Sequence, residues 1–348
     1  MYRHRTLIPL IIAMLVLVAC TGGEGTSQAP AESEAPGQSE APPASEEPVA
    51  EDWPTQPVIF VAPGTVGGGG DTQARLAAAT IEAEGLIDQP IAVLNKAPQE
   101  VYTFVIAQAG DPHYLFTNAN QLLTYPMTGQ FTYDAFEDFI PVANLAFDPE
   151  VLIARPDSPY QTLDELIQAA KADPGGITIG GGQIGTQDHM AVLTLQAAAD
   201  IELNFVPFQG GAEIHRNVLG GQVDLAMGNP ADFIASLESG DLVSLAILDE
   251  ERNPAPVLQD VPTAIEQGVD ASFVVWRGWF FPAGVSDDIV QQASDLFAVV
   301  MDDPAFEENY LIRFGMRPFY LPHDEFESYL RDQEPIYEEL LREAGVID

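Results

Sequence analysis

The sequence predicts an α/β protein of two lobes joined by two extended crossings. Three observations carry this reading. Short apolar runs rich in β-branched residues alternate with helical patterns between residues 58 and 248. Several runs end in glycine turns that open helices. Two long extended passages, 141–159 (PVANLAFDPEVLIARPDSP) and 272–281 (SFVVWRGWFF), separate two such α/β series.

The chain begins with an export leader. A basic start, Tyr2-Arg3-His4-Arg5, precedes an apolar stretch at 7–18 and then Leu17-Val18-Ala19-Cys20. This is a secretory signal over 1–20 ending in a lipobox-like site, so Cys20 becomes the acylated first residue. The apolar stretch is too short to span a bilayer comfortably, and acylation gives the one cysteine of the chain a use. Acyl chains on Cys20 would hold the protein at the outer face of the cell membrane. Residues 21–52 carry eight acidic residues and no basic ones among Ala, Pro, Ser and Gly. They cannot bury enough apolar surface to order themselves and read as a tether.

Of 348 residues, 53 are acidic and 13 basic, for a net charge of −40. Only Lys96 and Lys171 are lysines. Nucleic acid is excluded as a partner, because phosphate contacts need Lys and Arg patches. Acid enrichment with lysine depletion also suits a salty habitat, where screening reduces self-repulsion.

The first series opens with a strand at 58–61, followed by Pro63-Gly64 and Gly67-Gly68-Gly69-Gly70. A helix from Asp71 to Gly85 follows, with Ala74, Ala77, Ala78 and Ile81 on one face and Gly85 as its C-cap. Strand, glycine loop and helix N-terminus together form an anion cradle: glycines let backbone N–H groups converge, and the helix end adds positive potential. A strand at 91–94, a helix at 101–109 and a strand at 114–116 continue the series, which is that of a parallel sheet. Ligands of such sheets sit off the C-terminal ends of strands, where the glycine loop, Asn95 and Asn118 to Asn120 all fall.

The second series starts with Thr162-Leu163-Asp164-Glu165, a capping box, and its helix stops at Pro174-Gly175-Gly176. A second strand, glycine loop and helix follow: 177–180, then Gly181 to His189, then 190–199. Gly180, Gly182 and Gly185 also fit G-x-G-x-x-G with Asp200 downstream, the weak alternative of a dinucleotide-binding enzyme. The acidic residue of that motif should follow the next strand, yet Asp200 precedes it at 204–208. A helix at 212–219, a strand at 224–227, a helix opened by Pro230 and a strand at 242–248 complete the series. Amphipathic helices at 286–300 and 324–344 should pack back on the first lobe.

The order of motifs resembles the substrate-binding proteins of tripartite tricarboxylate transporters, the Bug family. The carriers are Pro63, Gly67-Gly68, Asp71 and Ala74-Arg75; Asp138-Phe139-Ile140-Pro141-Val142-Ala143; and Gly185-Thr186 with His189. Val206-Pro207-Phe208 with Gly210, then Gly220-Gly221-Gln222-Val223-Asp224-Leu225, Asp260-Val261-Pro262-Thr263, Trp276-Arg277-Gly278 and Pro282-Ala283-Gly284 follow. Two departures stand out. Asn95-Lys96-Ala97-Pro98-Gln99-Glu100 lacks the glycine-rich turn the family places there, and Phe208 stands where the family often has tyrosine.

The resemblance implies a two-lobed, type II periplasmic binding protein (a Venus-flytrap fold) with two crossover strands. Lobe 1 would comprise 53–145 and 273–348, and lobe 2 146–272. Such a protein closes around a small carboxylate and delivers it to the permease subunits of a tripartite transporter. It is expected to act as a monomer, to be no enzyme and to need no cofactor or metal. Carried over, the ligand loops would be Gly67, Gly68, Gly69, Gly70 and Asp71 in the first lobe. In the second they would be Gln183, Thr186, Gln187, His189, Phe208, Gly210, Gly211 and Asn229. A ligand-presenting sensor for a signalling receptor is the alternative use of the same architecture.

Several residues allow two readings. Asp71 either caps its helix or meets the ligand, and its charge should not face an anion unless an amine is also bound. Thr186 is a side-chain donor at a helix N-terminus. His189, one turn into that helix, serves structure or ligand. Arg155 and Arg277 lie in the crossings, each able to grip a carboxylate with two N–H groups or to form a hinge salt bridge. Trp276 and Trp279 line the cleft or pack in the core. No G-x-S-x-G, H-E-x-x-H or G-K-[ST] motif is present, and His113, His189, His215 and His323 have no metal-ligand spacing.

Overall fold

The computed structural model describes residues 53–64 and 66–348. The leader, Cys20 and the tether expected at 1–52 lie outside the described residues.

Ten strands form one curled sheet in two parts that share a strand. The first part is built from β1 (Val58–Pro63), β2 (Ile91–Lys96) and β3 (Tyr114–Asn118), with α1 (Gly69–Glu84), α2 (Pro98–Ile106) and α3 (Gln121–Met127) after them. β1 lies between β2 and β3 and is parallel to both, as the strand–helix–strand order requires. Both faces of β1 are covered, which explains its continuous apolar run. α1 ends at Gly85, held in the left-handed region at φ 62°.

β4 (Phe139–Ala154) is the shared strand, 16 residues long. Its first two thirds pair antiparallel with β9 (Val274–Pro282) and β10 (Arg317–Pro322). Its last residues, from Glu150, pair with β7 (Leu225–Gly228) and β8 (Val243–Leu248). β9 closes the first part by pairing with β3. The passages at 141–159 and 272–281 are therefore neighbouring antiparallel strands, each crossing once.

The second part adds α4 (Leu163–Ala172), β5 (Thr178–Gly181), α5 (Gln187–Ala199), β6 (Asn204–Pro207), α6 (Gly211–Leu219) and α7 (Ile234–Ser239). β5 is parallel to β6 and β7. The capping box forms: Thr162 Oγ1 accepts from Glu165 N at 3.2 Å while Glu165 accepts from Thr162 N. Pro230 opens a 3-10 turn, Pro230–Asp232, before α7.

The C-terminal stretch holds α8 (Asp287–Met301), a short α9 (Pro304–Phe306), a π-helix (Glu307–Ile312) and α10 (His323–Glu343). α8 packs on β4 and α1. α10 reaches further than expected, touching α3 and β4 and also α5 of the second part. Its Tyr337 is buried, accepting from Asn120 Nδ2 at 2.8 Å. Among the described residues no helix is long and apolar enough to cross a membrane.

Candidate functional site

A cavity of about 420 Å³ opens where the two parts of the sheet meet, a size suited to a small organic ligand. Its floor is the first turn of α1. Gly67 adopts φ +85°, a left-handed conformation that places the loop at no steric cost. The helix N-cap, Gly68, supplies no side-chain cap, so the first-turn N–H groups face the cavity without one. At Gly70 an added methyl would lie 3.0 Å from Thr117 Oγ1 and 3.1 Å from the Pro63 ring. Only glycine brings this turn so close to β1 and β3.

Arg277 forms one side. Its backbone N donates to Asn144 Oδ1 at 2.9 Å, where β4 bulges against β9. Bulges of this kind re-aim side chains. The guanidinium donates through Nε (3.1 Å) and Nη2 to Asp148 Oδ2, and through Nη2 to Asn229 Oδ1 at 3.5 Å. Asp148 is fully buried, and its Oδ1 has no partner. Burial raises the Asp148 carboxyl even against the pull of Arg277. Desolvation also opposes the Arg277 charge, but Asp148 and the groups around it outweigh that and hold the arginine above its usual value.

Further carboxyls surround this pair. Glu150, two residues along β4, is fully buried and accepts from Asn229 Nδ2 at 3.2 Å. Burial, then Asp188 and Asp148, push it well up. Asp188 accepts from Gly182 N at 2.7 Å, and burial raises it to about 7. Asp232 lines the cavity but keeps an exposed surface, so solvent screens its rise to about 6. The remaining wall is aromatic and apolar, with Tyr102, Tyr125, Phe314 and Met316. Tyr310, in the π-helix, is buried with its hydroxyl unpartnered and also lines the cavity.

Of the residues expected at the site, Gly67, Gly68, Gly69, Gly70, Asn118, Gln187, Asn229 and Arg277 line this cavity. Gln121 donates to Gln187 across it. The others do not line it. Asp71 is buried beneath the glycine loop, accepting from Gly67 N at 2.8 Å and Arg75 Nε at 2.9 Å. Burial opposes its charge, but those donors hold its pKa below the usual value. It organises the cradle from behind. Thr186 turns its hydroxyl back to Gln183 O at 2.7 Å, and Gln183 donates to Phe208 O at 3.0 Å. His189 accepts from Gly185 N through Nδ1 and its ring lies tilted against Phe205; burial lowers it to about 4, so it is a neutral structural residue. Phe208 packs on Gly180. Gly210 opens α6 beside Gly211, whose missing side chain leaves room for Asp232.

Arg155 leaves the site altogether, donating to Val218 O at 3.0 Å and Val223 O at 3.1 Å. Trp276 and Trp279 are fully buried against Phe326 and Phe297 respectively, which makes them core residues. The G-x-G-x-x-G glycines make way for protein side chains: methyls on Gly180 and Gly182 would meet Phe208 and Thr186. Asp200 is the left-handed C-cap of α5 at φ 52°.

Reasoning from sequence missed Asp148, Glu150, Asp188, Asp232 and Tyr310. The only signal was two acids, Asp148 and Glu150, on alternate positions of an apolar crossing, where they share one face.

Two α/β halves, crossed by two neighbouring strands around a polar cavity, define a two-lobed solute-binding protein of the type II periplasmic class. Residues 74–346 match the TctC family, described as the tripartite tricarboxylate transporter family receptor. The chain belongs to this family, that of the Bug proteins. It is 26% identical to BugT of Bordetella pertussis over 300-odd residues, covering 84% of this chain and 90% of BugT. A Rhodopseudomonas palustris protein solved with adipate is 25% identical with a TM-score of 0.72, covering 84% of this chain and 99% of its own. MatC from the same species, solved with malate, is 25% identical with a TM-score of 0.68, covering 83% and 100%.

Proposed function

We propose that this protein is an extracytoplasmic receptor that captures a small carboxylate in the cleft and delivers it to the permease of a tripartite tricarboxylate-type transporter. The observation that carries the reading is the uncapped first turn of α1 facing the cavity beside Arg277. Backbone N–H groups, helix-end potential and a guanidinium converge there, the chemistry that binds carboxylates. Adipate and malate in two related structures support the ligand class.

The lobes are 53–145 with 273–348, and 146–272, hinged where β4 and β9 cross. Closure brings Gln187 of one lobe to Gln121 of the other and encloses the ligand. Export and acylation of Cys20 keep the receptor at the membrane, beside its permease. Each helix-end interaction contributes about 0.3–2 kcal/mol, so several contacts together are needed for micromolar affinity, about −8 kcal/mol.

The test is a thermal-shift and calorimetric screen of the intact protein against small carboxylic acids, with and without amino groups. Saturable binding of at least one acid is expected, with a rise in Tm; at 100 times Kd the added stability is about 2.7 kcal/mol. Failure of every acid to bind would refute the reading.

A further inference from the structure

The cavity has two sides of opposite character. One suits a carboxylate. Gly69 and Gly70 present the first turn of α1, and a methyl on Gly69 would lie 3.5 Å from Arg277 Nη1, so guanidinium and helix end are adjacent. Nη1 makes none of the hydrogen bonds that hold Arg277 to Asp148 and Asn229. Thr117 Oγ1, on a residue only 1% exposed, lines the same corner without a partner.

The other side suits a cation. Asp148 lines the cavity with Oδ2 committed to Arg277 and Oδ1 unpartnered. Asp232 lines it as well. Glu150, with Oε2 unpartnered, and Asp188 lie close enough to repel each other's charge. Asp148, Glu150 and Asp232 thus all feel the Arg277 guanidinium, and two of them, Asp148 and Asp232, line the cavity. Among the described residues no group of His, Cys, Asp and Glu is arranged to hold a metal ion. A plain dicarboxylate could place one carboxylate at the helix end and Arg277, but its second would meet this wall, where the cavity lining offers no further cation among the described residues.

Within the carboxylate-binding function proposed above, on which this step rests, we infer that the ligand is a zwitterion. It is a small amino acid or other amine-bearing carboxylic acid. Its carboxylate lies at the first turn of α1 against Thr117 and Arg277, and its ammonium faces Asp148 Oδ1 and Asp232. The ammonium supplies the donor that Asp148 Oδ1 lacks. It also lowers the repulsion among the carboxyls, an effect no uncharged substituent reproduces.

The experiment is calorimetry on the intact protein with matched pairs that differ only in the amine: aspartate and succinate, glutamate and glutarate, phenylalanine and 3-phenylpropanoate, 4-aminobutyrate and butyrate. The diamine 1,5-diaminopentane serves as the cation without a carboxylate. At least one amine-bearing acid should bind tenfold or more tighter than its partner. A difference under tenfold, or a preference for the amine-free acid, overturns the zwitterion and leaves carboxylate capture standing. Binding of the diamine alone, or of no acid in either series, overturns both. Asp232→Asn, at the open edge of the cleft, should weaken the amine-bearing acid at least tenfold while its melting temperature shows the fold intact. An unchanged affinity overturns the placement of the ammonium.

Discussion

Replacing Arg277 by methionine tests the charge balance of the cleft. The substitution keeps much of the aliphatic stem and removes the cation that donates to Asp148. Asp148 is 0% exposed, and its Oδ1 is already unpartnered, so Oδ2 would join it. The buried carboxylate then escapes by taking a proton. Starting from the usual value of 3.8, protonation at pH 7 costs about 4 kcal/mol, at about 1.4 kcal/mol per pH unit. At pH 5 the same step costs about 1.6 kcal/mol. Because the Asp148 carboxyl is already raised in the intact pair, the loss of stability should stay below about 4 kcal/mol at pH 7, against the roughly 3–5 kcal/mol typical of breaking a buried pair, and fall to about half or less at pH 5. Guanidinium denaturation of the ligand-free protein at the two pH values reads this directly. The double variant Asp148→Asn with Arg277→Met removes both charges and should recover most of the loss at pH 7. A loss that does not change with pH, or a double variant no more stable than the single one, would refute the reasoning.

Three further outcomes are expected. Asp188 is raised from 3.8 to about 7 in the folded state. Its stabilising protonation is complete below pH 3.8 and lost as pH rises through 7, so the protein should weaken across that window, and Asp188→Asn should flatten the dependence by up to roughly 4 kcal/mol; equal pH profiles for both proteins in denaturation would contradict this. Arg317 joins β10 to the end of β8 by two parallel bonds to Asp249, both 2.9 Å, while lying over Phe147 and Phe319; Arg317→Lys should cost about 1.5–3 kcal/mol in unfolding free energy, and a change under about 0.5 kcal/mol would show that the planar fork is dispensable. With a net charge of −40, the melting temperature should rise between 0.05 and 1 M sodium chloride as the Debye length shrinks to about 3 Å; a flat or falling curve would remove the link between composition and a salty habitat.

Much of the fold was legible because local chemistry and tertiary role agree. Thr162 and Glu165 announce their helix, Gly85 ends another, and β1 reads as a run of apolar residues because it is central. β10 escaped notice because Pro318 and Pro322 argue against a strand, and it survives as the edge partner of β4. α3 was hidden by its seven residues and internal Pro126. At the site, the glycine loop was readable because backbone geometry demands glycine there. The acids were not, since Asp188 opens α5 and Asp232 ends a 3-10 turn, and only tertiary structure brings both near Asp148. Thr186 and His189 misled for the converse reason: each is a good ligand type whose hydrogen-bonding capacity the local turn consumes.

The sharing of β4 bears on how such a receptor can change its preferences. Asp148 and Arg277 ride on the antiparallel pair β4 and β9, of which β4 is shared by both halves. The charges facing the cavity are thus carried by the axle, and the glycine loop by one jaw. On the function proposed above, a lineage could rewrite the charge pattern on the axle while the surfaces offered to a membrane partner stay untouched, so that recognition by the transporter and selection of cargo become separable traits, free to diverge at different rates.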